Sequence, residues 1–383
     1  MKILQLEVEG FRSLKHVVWK PGDLNVVIGP NASGKSNLLK VLELLKAAAE
    51  GRLRDHVIRE GGMAALAYDQ EAQEIKIRCE ASPIDFGPLD YRFALARLGS
   101  SSAYELKREK LVGFPYGFHP KGRRKTEGSG RSGQLLPTVR NRRSREETVL
   151  AGCSTLNGCD RAAHEYQENV ASWGIYQVLD TEKLSSVRSP AVVLHDELLK
   201  PDGGNLVPVL HTLYTENKVF KEEIDSAMFA GFGDEYKELL FPPSASQRIE
   251  LAVQWNSLKH ETRAQDLSDG TLRYLYLLAI LVHPSPPPLI AIDEPETGLH
   301  PSMMAVVAEA AAHASRKTQV ILTTHSSDFL DGFYKQTTPT VTVTENRDGE
   351  THLRVPEGGE LEYWLKRYTL GDLFRTTELE QME

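Results

Sequence analysis

Cysteine is scarce: the chain has 3 in 383 residues, at Cys79, Cys153 and Cys159. So odd and sparse a set does not make a disulfide framework, and the expectation is ordinary thiols in a reducing compartment. No second ligand pair stands at metal spacing from Cys153 and Cys159, which argues against a zinc site. Long apolar runs are missing too. The longest, Leu275 to Val282, is far short of a bilayer span, and the N-terminus meets Glu7 before a secretory apolar stretch can form. The expectation from these absences is a cytoplasmic chain without membrane association. There is no internal repeat.

With 40% hydrophobic and 26% charged residues, the chain can bury one large core or two smaller ones, and disorder as the dominant state is excluded. The net charge of −8 argues against a nucleic-acid binder as a whole-chain average, but the charge is uneven. Between Lys121 and Arg145 stand nine basic residues (Lys121, Arg123, Arg124, Lys125, Arg131, Arg140, Arg142, Arg143 and Arg145) against one acid, Glu127. Phe114, Tyr116 and Phe118 precede them. Two readings stand for residues 121–145. One is an arm that binds DNA or RNA, with arginines on phosphates and aromatics stacked on bases; the other is a solvated loop.

Ile3 to Glu9 alternates like a half-buried strand, and Leu24 to Ile28 reads as a buried strand ending at a glycine. A leucine-rich helix follows from Ser36 to Ala49. Short strand-like runs recur at Ala64–Tyr68, Glu74–Cys79, Tyr91–Ala96 and Tyr104–Leu111, suggesting an antiparallel sheet. Helical spacing is expected from Arg161 to Leu179 and from Leu206 to Phe232.

Between the buried strand and the leucine-rich helix lies Gly29-Pro30-Asn31-Ala32-Ser33-Gly34-Lys35-Ser36, followed by Asn37. It satisfies the phosphate-cradle pattern in the context that pattern requires. Glycines let the backbone turn successive N–H groups toward phosphate oxygens, and the helix adds the positive end of its dipole. Lys35 supplies a charge for the β and γ phosphates of ATP, and Ser36 a hydroxyl for Mg²⁺. Farther on, the apolar run Leu289–Ile292 ends in Asp293-Glu294. Neighbours on a strand face opposite ways, so the acids take different tasks: Asp293 for Mg²⁺, Glu294 for the attacking water.

Leu267-Ser268-Asp269-Gly270-Thr271 stands 25 residues ahead of Asp293 and opens an apolar helix. It resembles the signature motif of ABC ATPases. Asp269 and Thr271 replace the glycine and glutamine of transporters, a form similar to the RecF/SMC and OLD-like branch. Pro295-Glu296-Thr297-Gly298-Leu299-His300-Pro301 resembles that superfamily's D-loop, and the strand Val320–Thr324 ends at His325 as the strand of the switch histidine does. Phe11-Arg12-Ser13 is similar to the arginine loop of several RecF/SMC-like heads. Leu370-Gly371-Asp372-Leu373-Phe374 matches stand-alone ATPases of this kind. No Q-loop glutamine is identified; Gly61-Gly62 stands after the first helix instead.

The resemblance implies an α/β fold: an ABC-type P-loop ATPase head with a mixed central sheet, an antiparallel β subdomain and a helical, arm-like insertion. The expected division is an N-terminal lobe at 1–100, a basic arm and helical insertion at 101–200, a C-terminal lobe at 201–345 and an extension at 346–383. It also implies a head-to-tail homodimer in which Ser268, Asp269 and Gly270 of one copy cover the ATP·Mg²⁺ held by the other, with Glu294 and His325 catalytic. The expected role is linked to nucleic acid, in repair or defence against phage. The chain after His325 is too short for a TOPRIM nuclease, so a separate effector such as a nuclease is expected, with the acidic tail Glu378–Glu383 as one docking element. An ABC transporter subunit and a nucleotide-switched module with little turnover remain as alternatives.

Overall fold

Period-two burial builds the first sheet. In a computed structural model, the described residues are 1–82, 87–99, 103–113, 133–134, 146–153, 159–245, 247–333, 338–356, 361 and 363–381. Of the basic segment 121–145 only Gly133 and Gln134 fall among them, and Phe114, Tyr116 and Phe118 lie outside. The chain divides into two units, Met1–Gly22, Pro30–Trp173 and Thr344–Arg354 in one, and Asp23–Gly29, Gly174–Val343 and Val355–Glu383 in the other.

In the first unit, β1 (Lys2–Phe11), β2 (Leu14–Trp19), β4 (Glu74–Ser82), β5 (Leu89–Arg97), β6 (Tyr104–Gly113) and β7 (Gly133–Gln134) form an antiparallel sheet in the order β2-β1-β4-β5-β6-β7. Along β4, Ile75, Ile77, Cys79 and Ala81 are buried and their neighbours are not, as alternation requires. Helix α1 (Lys35–Glu50) buries Leu38, Leu42 and Leu45, each contributing roughly 1.5–3 kcal/mol, and packs against α4 (Arg161–Ala171).

Three expectations need correcting here. Ala64–Tyr68 is not a strand. After α2 (Leu53–Arg59), a short helix α3 (Met63–Leu66) leads into a turn at Tyr68–Gln70. Met63, Leu66 and Ala67 are buried while Ala65 is exposed, which is helical spacing rather than alternation. The helix from Arg161 stops at Ala171, short of Leu179, because Trp173-Gly174-Ile175-Tyr176 turns into a strand of the second unit. Finally, Cys153 and Cys159 are bonded to each other, with Cα atoms 5.5 Å apart, rather than separate thiols. The turn Leu150–Gly152 and α4 both pack on α1, which returns the chain to itself across this gap. Cys79 is free and buried, and burial pushes its thiol up to about 12.

The second unit is wound on parallel strands: β8 (Gly174–Tyr176), β15 (Leu289–Asp293), β16 (Gln319–Thr324), β3 (Leu24–Ile28) and the start of β17 (Thr340–Arg347). All residues of β3 and β16 are buried, as in a sheet covered on both faces. Helices α5 (Leu206–Glu216), α6 (Lys218–Phe232), α7 (Asp269–Leu281), α8 (Pro301–Ala314) and α9 (Ser327–Asp331) supply the cover, with α7 packed on α8 and α6 on both. Two small antiparallel sheets belong to this unit. One has the order β10 (Tyr236–Leu240), β13 (Ala252–Trp255), β14 (Thr262–Arg263); the other β11 (Pro243–Ser244), β12 (Arg248–Ile249), β9 (Ala191–Val192). Beyond Val343, β17 runs into the first unit and turns at Asp348-Gly349 into β18 (Glu350–Arg354). The expected mixed α/β fold with an antiparallel subdomain is the one observed.

Candidate active site

The phosphate cradle begins at Gly29, φ 149, and continues through Ala32 at φ 65 to Gly34 at φ 100. Gly34 starts α1 with no side-chain cap. Ser268, His300, Asp160 and Asn217 cap α7, α8, α4 and α6 with their own side chains. A long helix that begins on an uncapped glycine offers its first N–H groups to an anion. Within the first unit Lys35 is buried and its Nζ donates to Pro30 O at 3.0 Å, so the lysine curls over its own loop. Pro30, Asn31, Ala32 and Ser36 are exposed. Ser33 is buried instead, its Oγ 2.5 Å from Thr344 Oγ1 and its carbonyl accepting from Thr351 Oγ1 at 3.0 Å. Asn37 Nδ2 donates to Ser13 Oγ at 2.7 Å, and that hydroxyl lies 2.7 Å from Thr351 Oγ1.

In the second unit, parallel strands β15 and β16 set Asp293 opposite Thr323. The Thr323 hydroxyl donates to Asp293 and accepts from the Glu294 N–H at 3.1 Å, while Thr323 O takes the same N–H at 3.2 Å. Glu294 has φ 46, a left-handed value that costs a non-glycine residue roughly 1–2 kcal/mol. The two bonds to Thr323 hold it there. Its Oε1 lies 3.1 Å from His325 Nδ1. Glu296, buried, accepts from Thr324 Oγ1 at 2.6 Å and from the His325 N–H at 3.2 Å. Burial raises the Glu296 carboxyl above its ordinary value, countered in part by those bonds. The oxygens of Asp293 and Ser36 are hard ligands of the kind Mg²⁺ takes.

Ser268 accepts from the Thr271 N–H at 3.1 Å and so caps α7. Gly270 has no room for a side chain: a Cβ would sit 2.8 Å from Gly298 O in the segment after the carboxylates. Arg273 Nη1 reaches Thr297 O at 3.5 Å from the next turn of the helix.

Two family models match, "AAA ATPase domain" over residues 1–122 and "AAA domain, putative AbiEii toxin, Type IV TA system" over residues 212–331. The Arabidopsis thaliana structural maintenance of chromosomes protein 1 is 43% identical over 75 residues, 19% of this chain; the chain spans 6% of that protein. Among solved structures, an Smc head bound to the C-terminal winged-helix domain of ScpA has a TM-score of 0.60 at 15% identity, covering 95% of this chain and 100% of that one. The Pyrococcus furiosus Smc head with an extended coiled coil has a TM-score of 0.59 at 13% identity, covering 95% and 98%. At such identities the structural likeness concerns the fold. Residues 1–122 and 212–331 are thus each similar to ATPase domains, and the fold is that of the Smc heads.

Several residues around the cradle and the carboxylates belong to no motif. Thr344 and Thr351 brace the cradle from more than 300 residues away in sequence, so no local pattern announces them. Thr323 lies in the strand read correctly, but its double hydrogen bond depends on register. Arg12, φ 49, is paired with Glu60, which also meets Lys40 at 3.0 Å. Burial would raise the Glu60 carboxyl, but Lys40 and Arg12 hold it below its ordinary value. Leu370–Phe374 lies in a helix α10 (Leu370–Arg375), ahead of α11 (Glu378–Gln381), and packs on α9 directly after His325-Ser326. Gly371 is required there, since a Cβ would meet Ser327 O at 2.3 Å. Among the described residues no helix is long and apolar enough to cross a membrane.

Proposed function

We propose that this ATPase binds ATP with Mg²⁺ and hydrolyses it as a head-to-tail homodimer. The observation that carries the reading is Glu294, held at a strained angle by Thr323 with its carboxylate 3.1 Å from His325 Nδ1. Strain of this kind persists where the surroundings over-determine it, commonly at working sites. Gly29 to Asn37 take the phosphates, with Lys35 as the charged contact. Ser36 and Asp293 hold Mg²⁺, which when bound neutralises phosphate charge. Glu294 takes a proton from water as its oxygen attacks the γ phosphorus and the bond to the β-phosphate oxygen breaks, giving ADP and phosphate. His325 orients Glu294. Ser268, Asp269 and Gly270 cover the nucleotide of the partner copy.

The wider role proposed is an ATP-driven scaffold or sensor in a nucleic-acid-linked process, repair or defence, that controls a separate effector. Support comes from the basic residues of 121–145, from the likeness to a chromosome-maintenance protein, and from the toxin–antitoxin description of one matching family. A structurally similar head is bound to part of another protein, ScpA, which supports a protein partner here.

The test is Glu294→Gln. ATP binding should persist, turnover should fall by about 10²–10⁴-fold, and the dimer should accumulate on size exclusion with ATP. A monomer with ATP for both proteins refutes the dimer reading.

A further inference from the structure

The signature loop is held by a residue that belongs to no motif. Arg188 lies in a short turn, Ser186–Arg188, after β8, and only 8% of its side chain is exposed. Its Nε donates to Thr181 O at 2.8 Å. Its Nη1 reaches Ala264 O at 2.8 Å, Gln265 O at 3.2 Å and Leu267 O at 2.7 Å. Its Nη2 donates to Asp269 Oδ1 at 2.5 Å. The Nη acceptors are the loop that enters α7 and the first residue of the helix, while Nε is tied to Thr181 near its own turn. One guanidinium therefore gathers the carbonyls on one side of Ser268 and the carboxylate on the other.

Asp269 is 60% exposed, so its side of the loop faces outward while Arg188 grips it from within. The fork geometry matters. The two Nη1 N–H groups are shared among three carbonyls, while Nε and Nη2 point elsewhere along the same plane, whereas an ammonium has three donors on one centre. On the far side, the tight approach of Gly270 to Gly298 O fixes the same turn against the segment after Glu294. The turn is thus pinned between Arg188 and the D-loop-like segment.

We propose that Arg188 is a positioning residue for nucleotide engagement in trans: it keeps Ser268, Asp269 and Gly270 in the shape that receives the ATP held by a second copy. The inference rests on the sandwich reading above. It predicts a separation of effects, because Arg188 acts on the covering loop and not on the cradle of its own chain.

The experiment measures two quantities on wild type, Arg188→Ala, Arg188→Lys and Asp269→Asn. The first is the affinity of the monomer for fluorescent mant-ATP at concentrations below dimerisation. The second is ATP-dependent dimerisation by sedimentation. For Arg188→Ala the expected result is mant-ATP affinity within about twofold of wild type and dimerisation weakened at least tenfold. Arg188→Lys should recover little of this, and Asp269→Asn, an exposed change that spares the fold, should weaken dimerisation severalfold. Mixing Arg188→Ala with Lys35→Ala should restore dimer, since one composite site then pairs an intact cradle with an intact signature. Wild-type dimerisation by both Arg188→Ala and Asp269→Asn overturns the inference, as does an equal loss of mant-ATP affinity in Arg188→Ala. A wild-type protein that stays monomeric with ATP refutes the sandwich instead, which is a separable result.

Discussion

Substituting Gly34 by alanine tests whether the phosphate cradle is shaped by the distant hairpin of β17 and β18. Two penalties can be worked out. At φ 100 a non-glycine residue is strained by roughly 1–2 kcal/mol. The new Cβ would also lie 2.0 Å from Thr351 Oγ1 and 2.9 Å from its Cγ2, an overpacking that costs typically 1–3 kcal/mol. If the loop yields and must be restored to bind ATP, a loss near the middle of the range, about 3 kcal/mol, weakens binding about 100-fold. Thr351→Ala removes the bond to Ser33 O and the contact with Ser13 Oγ, each worth about 1 kcal/mol, and should weaken binding about 30-fold. The double variant decides the matter. With the threonine side chain shortened the clash is relieved, and the nearest atom of another side chain is Ser13 Oγ at 3.0 Å. Binding should then be no worse than for Gly34→Ala alone, whereas independent effects would multiply to about 3,000-fold. Titration with mant-ATP gives the affinities, and thermal melts establish that each variant is folded. Additive losses, or a Gly34→Ala protein that binds within threefold of wild type, refute the reasoning.

Two further outcomes follow from charge. The Glu296 carboxyl is raised by burial, so its contribution to folding is full below the ordinary carboxylate value and is lost as pH rises through the folded value. Glu296→Gln removes that loss, so its melting temperature should gain on wild type between pH 4.5 and pH 8; a difference that stays constant with pH contradicts it. Changing Arg140, Arg142 and Arg143 to Glu should abolish salt-sensitive DNA binding in fluorescence anisotropy, and the wild-type dependence on salt should correspond to roughly 0.9 in log–log slope for each phosphate contacted. Binding unaffected by these changes removes the motive for a nucleic-acid role.

What could be read from the sequence is what is local. The cradle, the carboxylate pair and the helix after Ser268 are each contiguous and have buried neighbours of the right period, so strand, turn and helix follow from a dozen residues at a time. The misreadings have local causes as well. Ala64–Tyr68 is short enough that Met63, Leu66 and Ala67 at helical spacing escape notice. The apolar spacing after Arg161 runs on through Trp173 and Tyr176, which pack as readily on a strand. Cys153 and Cys159 meet because two separate segments pack on α1, and no spacing rule contains that information.

The supporting residues were hidden for a different reason: each acts through register or through a contact far along the chain. Thr323 shows why this matters for chemistry. Parallel pairing places it opposite Asp293, so its hydroxyl reaches that carboxylate and also takes the N–H of the next residue. A shift of one residue would turn the Thr323 side chain to the other face of the sheet and leave Glu294 without a partner for its strained backbone. The pairing of two apolar strands, which any valine-rich or isoleucine-rich run could make, therefore determines whether the glutamate stands against His325. The acids can be named from the motif; their placement depends on a threonine that the motif does not require.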